Sequence, residues 1–87
     1  MSQYFTKVLL AEDESVAREI LSFYLNTIFD EVVVAKDGAE GLEIFQKAIN
    51  KKEKFDLVLT DIKMPNMNGI EMLEKIYTIN PMQKFII

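Results

Sequence analysis

The chain has 87 residues and a formal net charge of −4, which is enough for one small domain. Apolar residues make up 49% of it and charged residues 28%, the composition of a soluble globular protein. The net acidity and the absence of cysteine and histidine argue against direct nucleic-acid binding, disulfides and a zinc site. No apolar run reaches the roughly 18 residues of a membrane span, and the N-terminal MSQYFTK lacks a signal-peptide core, so we expect a cytoplasmic protein without a membrane partner.

The first half of the chain alternates between strand and helix patterns. KVLLA, residues 7 to 11, is a short apolar run that predicts a strand. In the segment from 15 to 29, apolar residues recur every four positions, which predicts an amphipathic helix with Ser15 as its N-cap. EVVVA, residues 31 to 35, is β-branched and continuous, so it predicts a buried strand.

The second half repeats the alternation. Asp37 is expected to cap a second helix, with Glu40 reaching back to it as in a capping box. Residues 55 to 60 predict a third strand. Asn68 is expected to start a third helix, which Pro81 ends because the residue before proline is disfavoured in helical conformation.

Strands that alternate with helices at this spacing predict an α/β fold with a parallel sheet. We expect a flavodoxin-like doubly wound sheet with strand order 2-1-3-4. In such sheets ligands bind at the carboxyl ends of the strands, where the strand order reverses. Glu12 and Asp13 follow the first strand and Asp61 ends the third, so their carboxylates are predicted to converge there.

Three neighbouring carboxylates repel one another unless a proton or a cation intervenes. Their oxygens suit Mg²⁺, and a carboxylate beside that ion can act as a nucleophile toward a phosphoryl group. Each acid also has a simpler interpretation. The run Glu12 to Glu14 is favourable charge at a helix N-terminus, and Asp61 is a turn residue before Pro65. Met64 and Met67 are interpreted as packing groups.

Three segments resemble the receiver domain of two-component response regulators: VLLAEDE, AKDGAEGLEIF and DLVLTDIKMPNMNGIEML. The last is the most specific, because an Asp is followed three residues later by Met-Pro and then by a Gly that opens a helix. The resemblance implies one receiver domain over residues 1 to 87. Such a domain is not itself an enzyme; it takes a phosphoryl group from a sensor histidine kinase or a phosphotransfer protein.

The resemblance also implies residue roles. Asp61 would be the phosphoacceptor. Mg²⁺ would be bound by Asp13, Asp61 and the backbone carbonyl of Lys63, with Glu12 acting through a water. Pro65 would shape the loop that follows the phosphorylated strand.

Receivers continue past their fourth strand to a Ser or Thr, a Lys and two further helices. The chain ends on KFII, residues 84 to 87, which predicts a fourth strand just begun. The resemblance therefore implies an incomplete domain without its last strand and last two helices. We expect such a chain to form a homodimer or otherwise self-associate, by strand pairing through residues 84 to 87 or through an uncovered sheet face. We expect that face to expose either the set Val8, Leu10, Val33 and Val58 or their neighbours of opposite parity.

One alternative function stays open. The chain would then be a receiver-like interaction module in which Asp61 is never phosphorylated and the fold serves docking or dimerisation. Mg²⁺ binding and reaction with acetyl phosphate separate the two functions.

Overall fold

The computed structural model describes residues 6–87, so most of the N-terminal MSQYFTK segment lies outside the described residues. Within them, strands and helices alternate. The strands are β1 (Lys7–Ala11), β2 (Glu31–Ala35), β3 (Leu57–Thr60) and β4 (Phe85–Ile86). The helices are α1 (Ser15–Leu25), α2 (Gly38–Asn50) and α3 (Gly69–Ile79). No described helix has the length and apolarity that crossing a membrane requires.

The strands form one parallel sheet in the order β2-β1-β3-β4, which confirms the predicted flavodoxin-like topology. At the carboxyl end of β1, Ala11 lies between Ala35 of β2 and Thr60 of β3. The residues that follow these three therefore emerge at the same edge of the sheet.

The sheet face beneath α2 and α3 carries the larger core. Leu9 and Val58, neighbours on β1 and β3, are fully buried there. Phe45 of α2 and Ile76 of α3 are also fully buried in this cluster. Phe45 stacks on Phe55 with ring centroids 6.2 Å apart.

The opposite face, beneath α1, has a smaller core. It contains Val8, Leu10 and Leu25, and Leu25 is the one buried residue of α1. Five large apolar side chains of this helix are exposed and form what we call the α1 apolar surface: Val16, Ile20, Leu21, Phe23 and Tyr24.

The expected uncovered strand set is wrong. Val8, Leu10 and Val58 are buried, and the register places Val33 and Val58 on the α2/α3 face. Of the neighbours of opposite parity, Leu9 is fully buried on the α2/α3 face, and Val32, Leu57 and Leu59 are half-buried against the smaller core. Among the described residues of β1, β2 and β3, Val34 is the one large apolar side chain that is exposed, with 42% of its surface accessible.

The boundaries of α1 differ from the prediction. Glu14 rather than Ser15 is the N-cap, since its carboxylate accepts from the backbone N–H groups of Val16 and Ala17. The helix ends at Leu25 rather than at residue 29. It stops there because polar side chains bond back to its last carbonyls, such as Asn26 Nδ2 to Ser22 O and Thr27 Oγ1 to Tyr24 O.

The third strand and helix follow the sequence prediction closely. β3 begins at Leu57, two residues later than expected. Asn68 caps α3 and forms a reciprocal capping box with Glu71, and the helix ends at Ile79 before the Asn-Pro step. β4 lies at the sheet edge with its side chains exposed.

Candidate metal centre

The acids that follow β1 and β3 lie together at the carboxyl edge of the sheet. The backbone continues the sheet hydrogen bonding there: Glu12 N donates to Ala35 O at 3.0 Å, and Asp61 N donates to Ala11 O at 3.3 Å. One carboxylate oxygen from each of Glu12, Asp13 and Asp61 lies within 4.8 Å of the other two. The predicted convergence of the three acids is therefore present in the structure.

The three acids differ in their surroundings. Glu12 is buried with 8% of its surface exposed, whereas Asp13 and Asp61 are exposed. Glu12 Oε2 accepts from the Glu14 backbone N–H at 3.2 Å, which directs that side chain toward the start of α1. The cluster therefore combines two exposed carboxylates with one buried carboxylate.

Arg18 is a residue of this region that sequence reasoning missed. Its Nη1 donates to the Glu12 carbonyl at 2.8 Å and to the Asp13 carbonyl at 3.4 Å. It thereby holds the segment that carries both acids and places a positive charge near them. The available signal was its position in the first turns of the helix that directly follows the acidic run.

Asp61 has a fixed backbone and one oxygen that accepts a hydrogen bond. Its Oδ1 accepts from Ile62 N at 2.8 Å, and its carbonyl accepts from Thr60 Oγ1 at 2.8 Å. Among the described residues, no hydrogen bond to Asp61 Oδ2 is seen. An unbonded, exposed carboxylate oxygen is available to a cation or an electrophile.

Gly69 allows the loop after Asp61 to close tightly. Its N–H donates to Ile62 O at 2.8 Å, and a Cβ at this position would overlap the Asp61 carbonyl. The resemblance predicted a glycine at the start of α3, and the structure gives the steric reason for it. Only a residue without a side chain fits here.

Asp37, the N-cap of α2, bonds to the same loop. Its Oδ1 accepts from Glu40 N at 2.8 Å and its Oδ2 accepts from Asn66 Nδ2 at 2.7 Å. These two hydrogen bonds, first from the Glu40 backbone and then from Asn66, lower the pKa of the Asp37 carboxyl below its ordinary value of 3.8. The expected capping box is wrong in one respect, because Glu40 accepts from the backbone N–H of Lys36 instead of that of Asp37.

The rest of the loop combines exposed and packed residues. Lys63 lies in it with an exposed side chain, and its role as a carbonyl ligand stays a prediction. Met64 and Met67 pack against the larger core, which confirms their interpretation as packing groups. Pro65 is exposed and its carbonyl accepts from Met67 N at 2.7 Å, closing a tight turn.

The donor set at this centre consists of carboxylate oxygens. Such ligands suit Mg²⁺, which takes one or two carboxylates and keeps several waters. The chain has no histidine or cysteine that would favour a softer metal. The residues present therefore fit Mg²⁺, and the mutual repulsion of the three acids favours a bound cation.

Comparison with protein families finds a match to the response regulator receiver domain over residues 8–87. A protein-glutamate methylesterase/protein-glutamine glutaminase of Caulobacter vibrioides is 40% identical over 76 residues. The match covers 87% of this chain and 21% of that protein. The chain thus spans about a fifth of the length of this relative.

Solved structures of response regulators are also similar to this chain. A response regulator receiver domain protein from Clostridium thermocellum is 35% identical, with a TM-score of 0.81 over 93% of this chain and 62% of that one. The response regulator TrrA from Thermotoga maritima, solved in complex with Mg(2+)-BeF, is 30% identical. Its TM-score is 0.81, over 95% of this chain and 68% of that one.

Proposed function

Because the chain belongs to the response regulator receiver family, we propose that it accepts a phosphoryl group on Asp61 in a Mg²⁺-dependent phosphorelay. The donor is a phosphohistidine of a sensor histidine kinase or of a phosphotransfer protein. The chain works in the cytoplasm as a signalling module and not as an enzyme, without direct contact to nucleic acid or membrane.

The observation that carries this proposal is the cluster of carboxylate oxygens from Glu12, Asp13 and Asp61 within 4.8 Å of one another. It lies at the end of β3, where Asp61 exposes an oxygen that no described donor engages. TrrA, a structural relative, was solved with a magnesium complex, which supports the same metal here. Asp13, Asp61 and the Lys63 carbonyl would hold the ion directly, and Glu12 would hold it through a water.

In the reaction, a carboxylate oxygen of Asp61 attacks the phosphorus of the donor in line with the bond to the histidine nitrogen. A new P–O bond forms as the P–N bond breaks, and its electron pair goes to the imidazole nitrogen. The aspartyl phosphate and a neutral histidine are the products once proton exchange with solvent is complete. Bound Mg²⁺ would supply neutralisation of the charge on the phosphoryl oxygens.

The residues of this chain do the positioning. The bond from Ile62 N to Asp61 Oδ1 holds the carboxylate plane, which leaves Oδ2 as the attacking oxygen. The bond from Thr60 Oγ1 to the Asp61 carbonyl holds the main chain behind it. Such transfer depends mainly on alignment and charge neutralisation, so a fixed acceptor contributes directly to its rate.

The test is incubation of the purified protein with acetyl phosphate and Mg²⁺, followed by mass mapping of the acyl phosphate. We expect one phosphoryl group on Asp61, and none in Asp61→Asn. Glu43→Gln is the matched control, because Glu43 is an exposed acid on α2 that pairs with Lys47 on the helix surface. Phosphate mapped to another residue would overturn the assignment of Asp61.

Magnesium binding is tested separately by titration. Asp13→Asn replaces a charged oxygen ligand with a neutral one, so we expect a marked loss of Mg²⁺ affinity. Equal affinity in the variant would remove Asp13 from the ligand set. A wild-type protein that neither binds Mg²⁺ nor reacts with acetyl phosphate would instead favour the non-phosphorylated interaction module.

A further inference from the structure

The loop after Asp61 is attached at its far side to the start of α2. Asn66 Nδ2 donates to Asp37 Oδ2 at 2.7 Å. One residue further along each segment, Gly38 N donates to Met67 O at 3.1 Å. A Cβ on Gly38 would overlap the Met67 carbonyl, so the two backbones approach as closely as a glycine allows. We refer to the side-chain bond as the Asp37–Asn66 contact.

The backbone of Asn66 has the conformation that this contact requires. Its φ is 68°, in the left-handed region that few residues other than glycine adopt readily. Asparagine tolerates this region better than most residues, because its short side chain can form local hydrogen bonds. The residue thus combines a sharp change of chain direction with an amide donor that reaches α2.

Asp37 is a strong acceptor for this bond. It is buried, with 5% of its surface exposed, and one carboxylate oxygen binds the helix backbone while the other binds Asn66. The pKa of its carboxyl is lowered, so the group is ionised at neutral pH. Hydrogen bonds to an ionised acceptor are shorter and stronger than neutral ones.

We propose that Asn66 and Asp37 are positioning residues for the metal centre, because their contact sets the orientation of the backbone that carries the Lys63 carbonyl. This inference rests on the proposed function of the centre. The loop is bound at one end by the Gly69 N–H to Ile62 O bond and at the other by the Asp37–Asn66 contact. Lys63 lies between the two, so both bonds determine where its carbonyl points.

The other side-chain contacts of the loop do not provide this orientation, so it depends on the backbone bonds of Gly38 and Gly69 and on the Asp37–Asn66 contact. The side chains of Lys63 and Pro65 are exposed. Met64 and Met67 pack against the core, but apolar packing is non-directional and a flexible thioether accepts several backbone orientations. A directional hydrogen bond to a buried acid does supply the required precision.

Two single variants remove the contact in different ways. Asn66→Gly keeps the left-handed backbone without strain and removes only the amide. Asp37→Ser keeps an N-cap oxygen for Glu40 but is too short to reach Asn66. Asp30→Ser is the matched control, since Asp30 accepts from Thr6 N at 2.7 Å before β2, at the opposite edge of the sheet.

We expect Asn66→Gly and Asp37→Ser each to weaken Mg²⁺ binding about tenfold, the lower end of the effect of outer partners of metal ligands, because the contact acts through the loop backbone. The rate of phosphorylation by acetyl phosphate should fall by a similar factor. The double variant should be no weaker than the more affected single one, because both remove the same bond. Asp30→Ser should leave affinity and rate unchanged even where it lowers stability.

Asp37→Asn provides a rescue test. Its Oδ1 can still cap α2, and its amide can pair with the oxygen of a flipped Asn66 amide, so Mg²⁺ affinity should return most of the way to wild type. Variants that lose stability but keep wild-type Mg²⁺ affinity and rate would overturn the positioning role. A wild-type protein that neither binds Mg²⁺ nor reacts with acetyl phosphate would overturn the proposed function and this inference with it. Failure of the positioning role alone is therefore distinguishable from failure of the proposed function.

Discussion

The two faces of the sheet are similarly apolar in sequence but differ in how much they bury. On the α2/α3 face, the helix before β3 and the helix after it together enclose one cluster that includes Phe45 and Ile76. On the other face α1 carries six large apolar residues, yet Leu25 is the one of them that is buried. Amphipathic periodicity therefore predicts a helix, but which side chains leave water depends on neighbouring elements.

This difference also affects the candidate centre. The loop that follows Asp61 is bound to α2 and α3 through Gly38, Asn66 and Gly69, all on the side of the larger core. The α1 side contributes Arg18, which bonds to two backbone carbonyls from an exposed helix. The face with the larger core thus supports the acceptor, and the α1 face is the more open of the two.

The largest expected effect comes from the larger core. Phe45→Ala should lower the free energy of unfolding by about 3–5 kcal/mol, because a fully buried ring is lost and its cavity cannot close. That is comparable with the whole stability of a small domain. Urea unfolding monitored by circular dichroism provides the measurement. Phe23→Ala is the matched control, since 68% of the Phe23 surface is exposed, and equal losses in the two variants would contradict the contrast between the faces.

A smaller effect is expected from the core of the α1 face. Leu25→Ala should cost about 2–3 kcal/mol, near the lower end for buried leucine, because its surroundings are partly open and can relax. The same urea titration applies. A loss larger than that of Phe45→Ala would show that the α1 face carries more of the stability than its burial indicates.

The Asp37–Asn66 contact gives a pH-dependent contribution that is smaller still. The folded-state pKa of Asp37 is lowered, so its contribution to stability is complete above the unfolded value near 3.8. It is lost as pH falls through the lower folded value, because both states are then protonated. The stability difference between wild type and Asp37→Asn should therefore narrow in acid. If the stability difference between the two proteins stays constant from neutral pH to below the folded-state pKa of Asp37, the contribution is not due to the ionised Asp37 carboxylate.

The smallest effect on stability is expected on the α1 apolar surface. Ile20→Ser combined with Tyr24→Ser should change the free energy of unfolding by less than about 1 kcal/mol, since both side chains are more than half exposed. Sedimentation should nevertheless show less self-association than in wild type. If Phe85→Lys abolishes association and the serine variants do not, the edge of β4 is the contact instead.

Sequence reasoning predicted the strand order, the convergence of the acids and the cap of α3, because each follows from local patterns and the rules of parallel sheets. It did not predict the Asp37–Asn66 contact, because the two residues are 29 positions apart and are brought together only by the tertiary fold. It also missed Arg18, whose partners are the nearby backbone carbonyls of Glu12 and Asp13, because such a bond carries no sequence pattern of its own. It placed the end of α1 too far along the chain, because apolar periodicity continues past Leu25 while polar side chains terminate the helix.

Gly69 has a consequence for how this sequence can evolve. Any Cβ at residue 69 overlaps the Asp61 carbonyl, so a substitution there must be preceded by a change that moves the acceptor's main chain. Lys63, exposed in the same loop, is under no such steric restriction. In a library of random variants selected for folding alone, Lys63 should therefore diversify early while Gly69 stays fixed, and the loop should accumulate changes in its side chains without changing its path.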